Sequence, residues 1–297
     1  MWDIILDVLL DTAIDGLKML PFLFGAYLLL EYIEHLAGDK LRHTLSHSGK
    51  YAIPLGACMG LVPQCGFSVA AANLYAGKVI SAGTLLAVFL ATSDEASPVL
   101  LASATGAPKI LPLLALKLVF AVIFGYLVDY VIFRGSPEHC GPAHCHHDDE
   151  QEQAFECLCG HCGCEKGPIW KSALHHTIET FLFLLVVLLV INGVTAAIGE
   201  ERLASIMLSG SFFSPFVAAL VGLIPNCAPS VLISGLYLEG TLSLGATVAG
   251  LSAGAGLGLA MLFRINRDKK QNFRILVLLY LSAVISGVLT ELITMLF

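Results

Sequence analysis

Apolar residues gather along the chain into long runs separated by shorter polar stretches. A bilayer crossing needs about 20 such residues, and runs of that order occupy 16–37, 108–133, 181–199 and 275–297. Two further apolar stretches, 52–105 and 215–263, are rich in Gly, Ala, Ser, Thr and Pro. That is the texture of helices packed closely or interrupted inside a bundle. Each reads either as three short crossings or as a re-entrant hairpin plus one full span. Both readings deliver the chain to the opposite side of the membrane. The pattern predicts an all-α polytopic membrane protein with broken or re-entrant helices and about ten membrane segments.

Composition sharpens this and excludes several classes. The chain has 297 residues, 57% hydrophobic and 13% charged, with a mean hydropathy of +0.81. An average soluble domain is about a quarter charged, and a single globule of this size cannot hide so much apolar surface. A water-soluble enzyme is excluded. No H-E-x-x-H or G-x-S-x-G motif is present, so a membrane hydrolase is a distant alternative and no enzymatic activity is expected. The net charge of -7 is local: 134–169 carries seven acids against two bases, Arg134 and Lys166. No basic patch suits nucleic acid. The N-terminus lacks a basic start and an A-x-A-like site, so no cleavable signal peptide is expected.

The chain repeats itself. Gly60-Leu61-Val62-Pro63-Gln64-Cys65-Gly66-Phe67-Ser68-Val69 matches Gly222-Leu223-Ile224-Pro225-Asn226-Cys227-Ala228-Pro229-Ser230-Val231 at an offset of 162 residues. The same offset pairs Leu74-Tyr75 with Leu236-Tyr237, Ser81 with Ser243, and Gly83 with Gly245. Trp2 and Trp170 each open a half with a segment that reads as an interfacial helix. Asp3, Asp7, Asp11 and Asp15 wet one face of the first. The expected organisation is a first repeat over 1–133, a linker over 134–169 and a second repeat over 170–297. Loops 38–50 and 264–274 are basic and belong inside, whereas the region near 200–214, with Glu200 and Glu201 against Arg202, suits the outside. Equivalent loops thus fall on opposite sides, so the repeats are inverted, both termini face out, and the linker is cytoplasmic. Inverted repeats with paired broken helices mark a secondary transporter with its site near the midplane.

Pro63-Gln64-Cys65 and Pro225-Asn226-Cys227 stand at the symmetric breaks. Proline removes a backbone donor, and the freed carbonyls must be satisfied by protein or a watery cavity. Side-chain amides donate and accept, and thiolates are soft metal ligands. Gln64, Cys65, Asn226 and Cys227 are therefore candidate substrate ligands, with the Ser68 and Ser230 hydroxyls one turn further on. The plainer alternative makes both cysteines small buried hydrophobes at packed kinks. Asp94 and Glu95 lie between apolar runs, where acids are costly and usually functional. The second half has no counterpart to them, and they read as metal ligands or carriers of a coupling proton. A turn exposing them to water is the alternative. Asn73, Asp129 and Glu291 carry weaker signals. Glu31, Glu34 and His35 fit headgroup snorkelling.

Six of the nine cysteines and five of the ten histidines crowd into the linker: His139, Cys140, His144, Cys145, His146, His147, Cys157, Cys159, His161, Cys162 and Cys164. Thiolates and imidazoles at this density bind Zn or Cu(I) readily. Three disulfides would be the rival outside the cell, but the cytoplasm is reducing. The spacing is no zinc-finger frame, so a metal-capturing segment fits better than a folded module.

The duplicated G-x-x-P-x-C element, the length and the His/Cys-rich linker resemble the ten-helix heavy-metal exporter family, related to arsenic permeases of the ArsP type. The resemblance covers 16–133 and 170–297. It implies metal or metalloid efflux across a bacterial or archaeal inner membrane, with no cofactor beyond the transported or loop-bound ion. The related permeases often carry a further thiol after the first, where Gly66-Phe67 and Ala228-Pro229 stand here. Oxygen ligands then favour a divalent ion such as Mn or Zn, with arsenite-like species second. The expected partners are that ion and the lipid bilayer. A coupling proton and a homodimer are compatible with such a carrier. A transmembrane thiol–disulfide carrier using Cys65 and Cys227 and an organic solute permease remain the rivals.

Overall fold

Helix boundaries repeat at the interval found in the sequence. The computed structural model of the protein describes residues 51–62, 65–93, 96–102, 107–133, 213–225, 227–266 and 268–296, with isolated helical positions between 12 and 28 and between 170 and 190. Among the described residues every regular element is a helix. The first half has α1 (Ala52–Gly60), α2 (Cys65–Ala76), α3 (Ala82–Ala91), α4 (Ala96–Ala102) and α5 (Ala107–Leu127), the last prolonged by a π-helical turn over Val128–Ile132. The second has α6 (Ser214–Gly222), α7 (Cys227–Leu238), α8 (Leu244–Ala253), α9 (Leu257–Ile265) and α10 (Lys269–Leu296). Shifted by 162 residues, α1, α2 and α3 fall on α6, α7 and α8 end for end.

The same local chemistry sets these ends twice. Ser81 and Ser243 are N-caps whose side chains accept from Thr84 N at 3.1 Å and Ala246 N at 3.2 Å. At the C-terminal ends of α2 and α7 the chain turns through the left-handed region, at Lys78 (φ 56°) and Gly240 (φ 74°). The turns are closed by Val79 N donating to Leu74 O and by Thr241 N donating to Leu236 O.

These turns decide between the two readings of 52–105. Gly56 of α1 lies against Thr84 and Val88 of α3, and Gly60 lies against Val88 and Ala91. The contacts advance together, so α1 and α3 run in the same direction. The short link 77–81 starts α3 from the end of α2, so α2 must return antiparallel to α1. At 1.5 Å per residue α1 and α2 are about 14 Å and about 18 Å long, too short for the ~30 Å hydrocarbon core. They form a re-entrant hairpin. The chain then runs through α3, a break that begins at Thr92 and Ser93, and α4, before α5 comes back beside α3. Ala218 against Gly250, and Gly222 against both Gly250 and Gly254, give α6 and α8 the same parallel course.

Close backbone approach holds each half together. A Cβ on Gly125 would lie 3.0 Å from the Gly83 carbonyl, and one on Gly287 would lie 2.6 Å from the Gly245 carbonyl. Such small-residue contacts let helices pack in lipid, where leaving the acyl chains brings no hydrophobic gain. Between halves the packing is reciprocal: α2 lies along α9, and α7 lies against α4.

The outer helices face lipid. Leu111, Val119, Ile123 and Leu127 of α5 are exposed, and so are their equivalents on α10, Phe273, Leu281, Ile285 and Leu289. Their spacing in multiples of four places them along one side of each helix, an apolar stripe too long for a water-facing surface. Ile110–Ile132, Leu244–Ile265 and Lys269–Leu296 are long and apolar enough to cross a membrane. Of these windows 33%, 78% and 44% are buried, so α8–α9 is the central one. The chain is a multi-pass membrane protein. The basic stretch 264–274 is only partly a loop, because α10 already begins at Lys269, where Asp268 Oδ1 accepts from Lys270 N at 2.9 Å. Hydropathy marks where a helix is apolar, and a capped polar turn extends it further.

Candidate substrate site at the helix breaks

The hairpin tips and the broken spans share one depth. Gly60, at the end of α1, is so close to α3 that a Cβ would lie 2.6 Å from the Val88 carbonyl. There α3 stops. Thr92 Oγ1 donates to Val88 O at 2.8 Å, which also accepts from Thr92 N, and Ser93 Oγ donates to Ala91 O at 3.1 Å, taking up a carbonyl that the helix leaves open. In the second half α8 stops at Ala253, and Gly256 follows with φ 54° and ψ -146°. That conformation is open essentially to glycine alone. Its equivalent in the first half is Asp94.

Lys117 joins the two breaks. It stands in the middle of α5 with 0% of its surface exposed. Its Nζ donates to the Thr92 carbonyl at 2.5 Å, to Ser93 Oγ at 3.1 Å and to the Leu251 carbonyl, in the other half, at 2.9 Å. Carbonyls at helix C-terminal ends carry partial negative charge, and here the ends of α3 and α8 supply it from both halves. A charge at the bilayer centre costs about 2.5–3.5 kcal/mol on insertion scales, which this oxygen cluster offsets. Sequence reasoning missed this residue, although one lysine inside an otherwise apolar span was a signal for it.

A second oxygen cluster adjoins the first. A Cβ placed on Gly254 would have as its three nearest neighbours the Leu251 carbonyl at 3.5 Å, the Gly222 carbonyl at 3.6 Å and Ser230 Oγ at 3.7 Å. Ser230 thus lies beside the second break. Ser68 is fully buried on α2, against Gly258 of α9. Ser97, Ser234 and Ser252 are buried with hydroxyls that find no hydrogen-bond partner. Their equivalents Leu259, Ala72 and Leu90 are apolar, so none of these three hydroxyls is repeated in the other half.

Cys65 and Cys227 are the first residues of α2 and α7, immediately past the hairpin tips. Their side chains lie outside the described residues, as do Gln64, Asn226, Asp94 and Glu95 and the linker ligands His139 to Cys164. Among the described residues no three His, Cys, Asp or Glu side chains group to hold a metal. Asp129 and Glu291, the acids with weaker sequence signals, prove to be a matched pair at the 162-residue offset. Asp129 accepts from Gly83 N at 2.6 Å and from Ser81 Oγ at 2.5 Å, and Glu291 accepts from Gly245 N at 3.2 Å. Each carboxylate sits at the start of a broken span, where the helix dipole favours it. Asn73 donates to Val69 O at 3.0 Å and is structural.

Comparison with curated proteins and with solved structures finds no match. A family model described as "Putative, 10TM heavy-metal exporter" matches residues 5–197 and 169–259, a span that takes in both hairpin tips, both breaks and Lys117. With the breaks of two repeated halves meeting at a buried lysine, and with that match over most of its length, the chain belongs to this heavy-metal exporter family.

Proposed function

We propose that the protein is a secondary transporter of two inverted repeats that exports metal ions by alternating access around the helix breaks. The observation that carries this is the convergence of both broken spans on one buried point, bridged by Lys117. Two contacts support the inversion. α2 leads from its tip back toward the side where α1 begins, and α9 packs along it, whereas α4, the counterpart of α9, leads away from that side. Arg274, near the start of α10, lies 4.5 Å over the Phe133 ring and donates to the Ile132 carbonyl at 3.4 Å, at the end of α5. Repeats of the same orientation would instead bring the start of α10 beside the start of α5.

The edge defined by Ile132 and Arg274 also gathers Lys78, Arg264, Lys269 and Lys270 against Asp129 and Asp268. By the positive-inside rule that edge is cytoplasmic. The linker 134–169 leaves α5 there, so its thiols and imidazoles collect ions on the side from which export starts. Cys65, Cys227, Gln64, Asn226, Asp94 and Glu95 then serve as the ligands at the breaks, with Ser68 and Ser230 behind them. Carboxylate and amide oxygens make Mn or Zn the first choice of ion, and the thiols make arsenite-like species the second.

A metal-sensitivity panel in an efflux-deficient host tests this, with wild type beside Asp94→Asn and the Cys65→Ser/Cys227→Ser pair. Wild type should confer resistance to at least one divalent ion, and loss of one ligand should lower that resistance and raise accumulation. Loss of thiophilic-metal resistance alone in the cysteine pair would move the substrate to the soft class. Equal accumulation of every ion in all strains removes the exporter reading.

A further inference from the structure

Lys117 has no counterpart: the position 162 residues on is Leu279, fully buried and apolar. A repeat that tolerates leucine there has no packing need for a lysine, so its charge calls for its own explanation. The ammonium occupies oxygens that would otherwise suit a cation, namely the Thr92 and Leu251 carbonyls and Ser93 Oγ. The Leu251 carbonyl is shared, for it also lies next to Gly254, beside the Gly222 carbonyl and Ser230 Oγ. In the chain, Thr92 and Ser93 lead directly into Asp94 and Glu95. Among the described residues, α3 and α8, whose ends supply these oxygens, carry no titratable side chain.

We propose that Lys117 is a tethered cation that stands in for the metal when the site is empty. This rests on the exporter reading above and adds the step that reading lacks, the return of the unloaded carrier. An empty cluster of carbonyl and hydroxyl oxygens inside the membrane leaves buried acceptors unmet and resists closing. With the ammonium in place, the ends of α3 and α8 stay joined and the site is electrically filled. An arriving divalent ion and the ammonium repel each other at this range in a medium of low dielectric. Loading therefore displaces the lysine, and unloading lets it back. Lys117 is a positioning residue for the transport cycle.

The test uses the full chain in lipid vesicles, with Zn or Mn as the probe, and compares wild type with Lys117→Leu and Lys117→Arg. Lys117→Leu copies the second half and should fold, as size-exclusion and melting behaviour would verify. It should bind the probe ion about tenfold more tightly or better, because the competing charge is gone. It should also keep metal-for-metal exchange while losing net efflux into metal-free medium. Lys117→Arg keeps the charge and should recover part of the net efflux. A lysine with only a structural role would lower exchange and net efflux together, and that result overturns the proposal. Unchanged affinity and unchanged net efflux in Lys117→Leu also overturn it. Should Lys117→Leu fail to fold, Ser93→Ala, which removes one oxygen from the ammonium, must weaken net efflux more than exchange, and equal losses count against the proposal. Wild-type vesicles that move neither ion would instead remove the exporter reading itself, and the proposal with it.

Discussion

The two halves share a scaffold and differ in chemistry. Gly60 and Gly222 press against the same place on α3 and α8, Gly83 and Gly245 meet Gly125 and Gly287, and Asp129 and Glu291 sit at matched helix starts. At the breaks the likeness ends. The first half carries Thr92, Ser93, Asp94 and Glu95 in sequence, with Lys117 on the first two, where the second carries Gly254, Ala255, Gly256 and Leu257, with Leu279 at the position of Lys117. Duplication set where the helices stop, and divergence concentrated the charges in one copy. The second copy then contributes mainly backbone: the Leu251 and Gly222 carbonyls and the freedom of Gly256. Symmetry in the fold does not imply symmetry in the ligands.

Several substitutions would break or sharpen this comparison. The largest effect is expected at the close approaches, because valine at Gly60 or Gly222 would drive side-chain atoms into a neighbouring helix backbone. Each should cost about 3 kcal/mol or more, seen as lost folded yield or a lower melting midpoint in detergent. A cost at one position only would mean the scaffold is less symmetric than its contacts. Gly256→Ala comes next. It forces a Cβ into φ 54°, ψ -146°, at about 1–3 kcal/mol. A wild-type melting curve for that variant would show that the second break does not depend on glycine.

The acid pair should separate by size. Asp129→Ala removes two short hydrogen bonds from a nearly buried carboxylate and should cost about 1–3 kcal/mol. Glu291→Ala removes one at 3.2 Å and should cost about 1 kcal/mol or less. Paired chemical-unfolding curves measure the difference, and the reverse order would contradict these geometries. The smallest effect belongs to the turns. Lys78→Gly relieves a left-handed residue and should stabilise by about 0.5–1 kcal/mol. Gly240→Lys should do the opposite, and a small shift in thermal unfolding would register both.

Much of the scaffold was legible because proline, cysteine and glycine at the tips repeat almost word for word. The route of the chain was not. Hydropathy reports how apolar a segment is and is blind to its direction, so a hairpin and three crossings looked alike until Gly56 and Gly60 gave α1 a heading. Lys117 was visible as a charge in an apolar run, yet its meaning depends on Leu251, which is 134 residues away. The match between Asp129 and Glu291 needed only the repeat offset applied further along. The close glycine approaches lie beyond sequence reasoning, since composition cannot say which backbone a glycine admits.

The exchange of partners between halves, with α2 against α9 and α7 against α4, has a consequence for biosynthesis. When the first half has entered the bilayer, α2 and α4 still lack the surfaces that complete them. They must wait, facing lipid or a chaperone, until the ribosome has finished the linker and delivered α7 and α9. The first half therefore completes its packing only once the second half has arrived, and a chain truncated after the linker would be left with two unfinished seams.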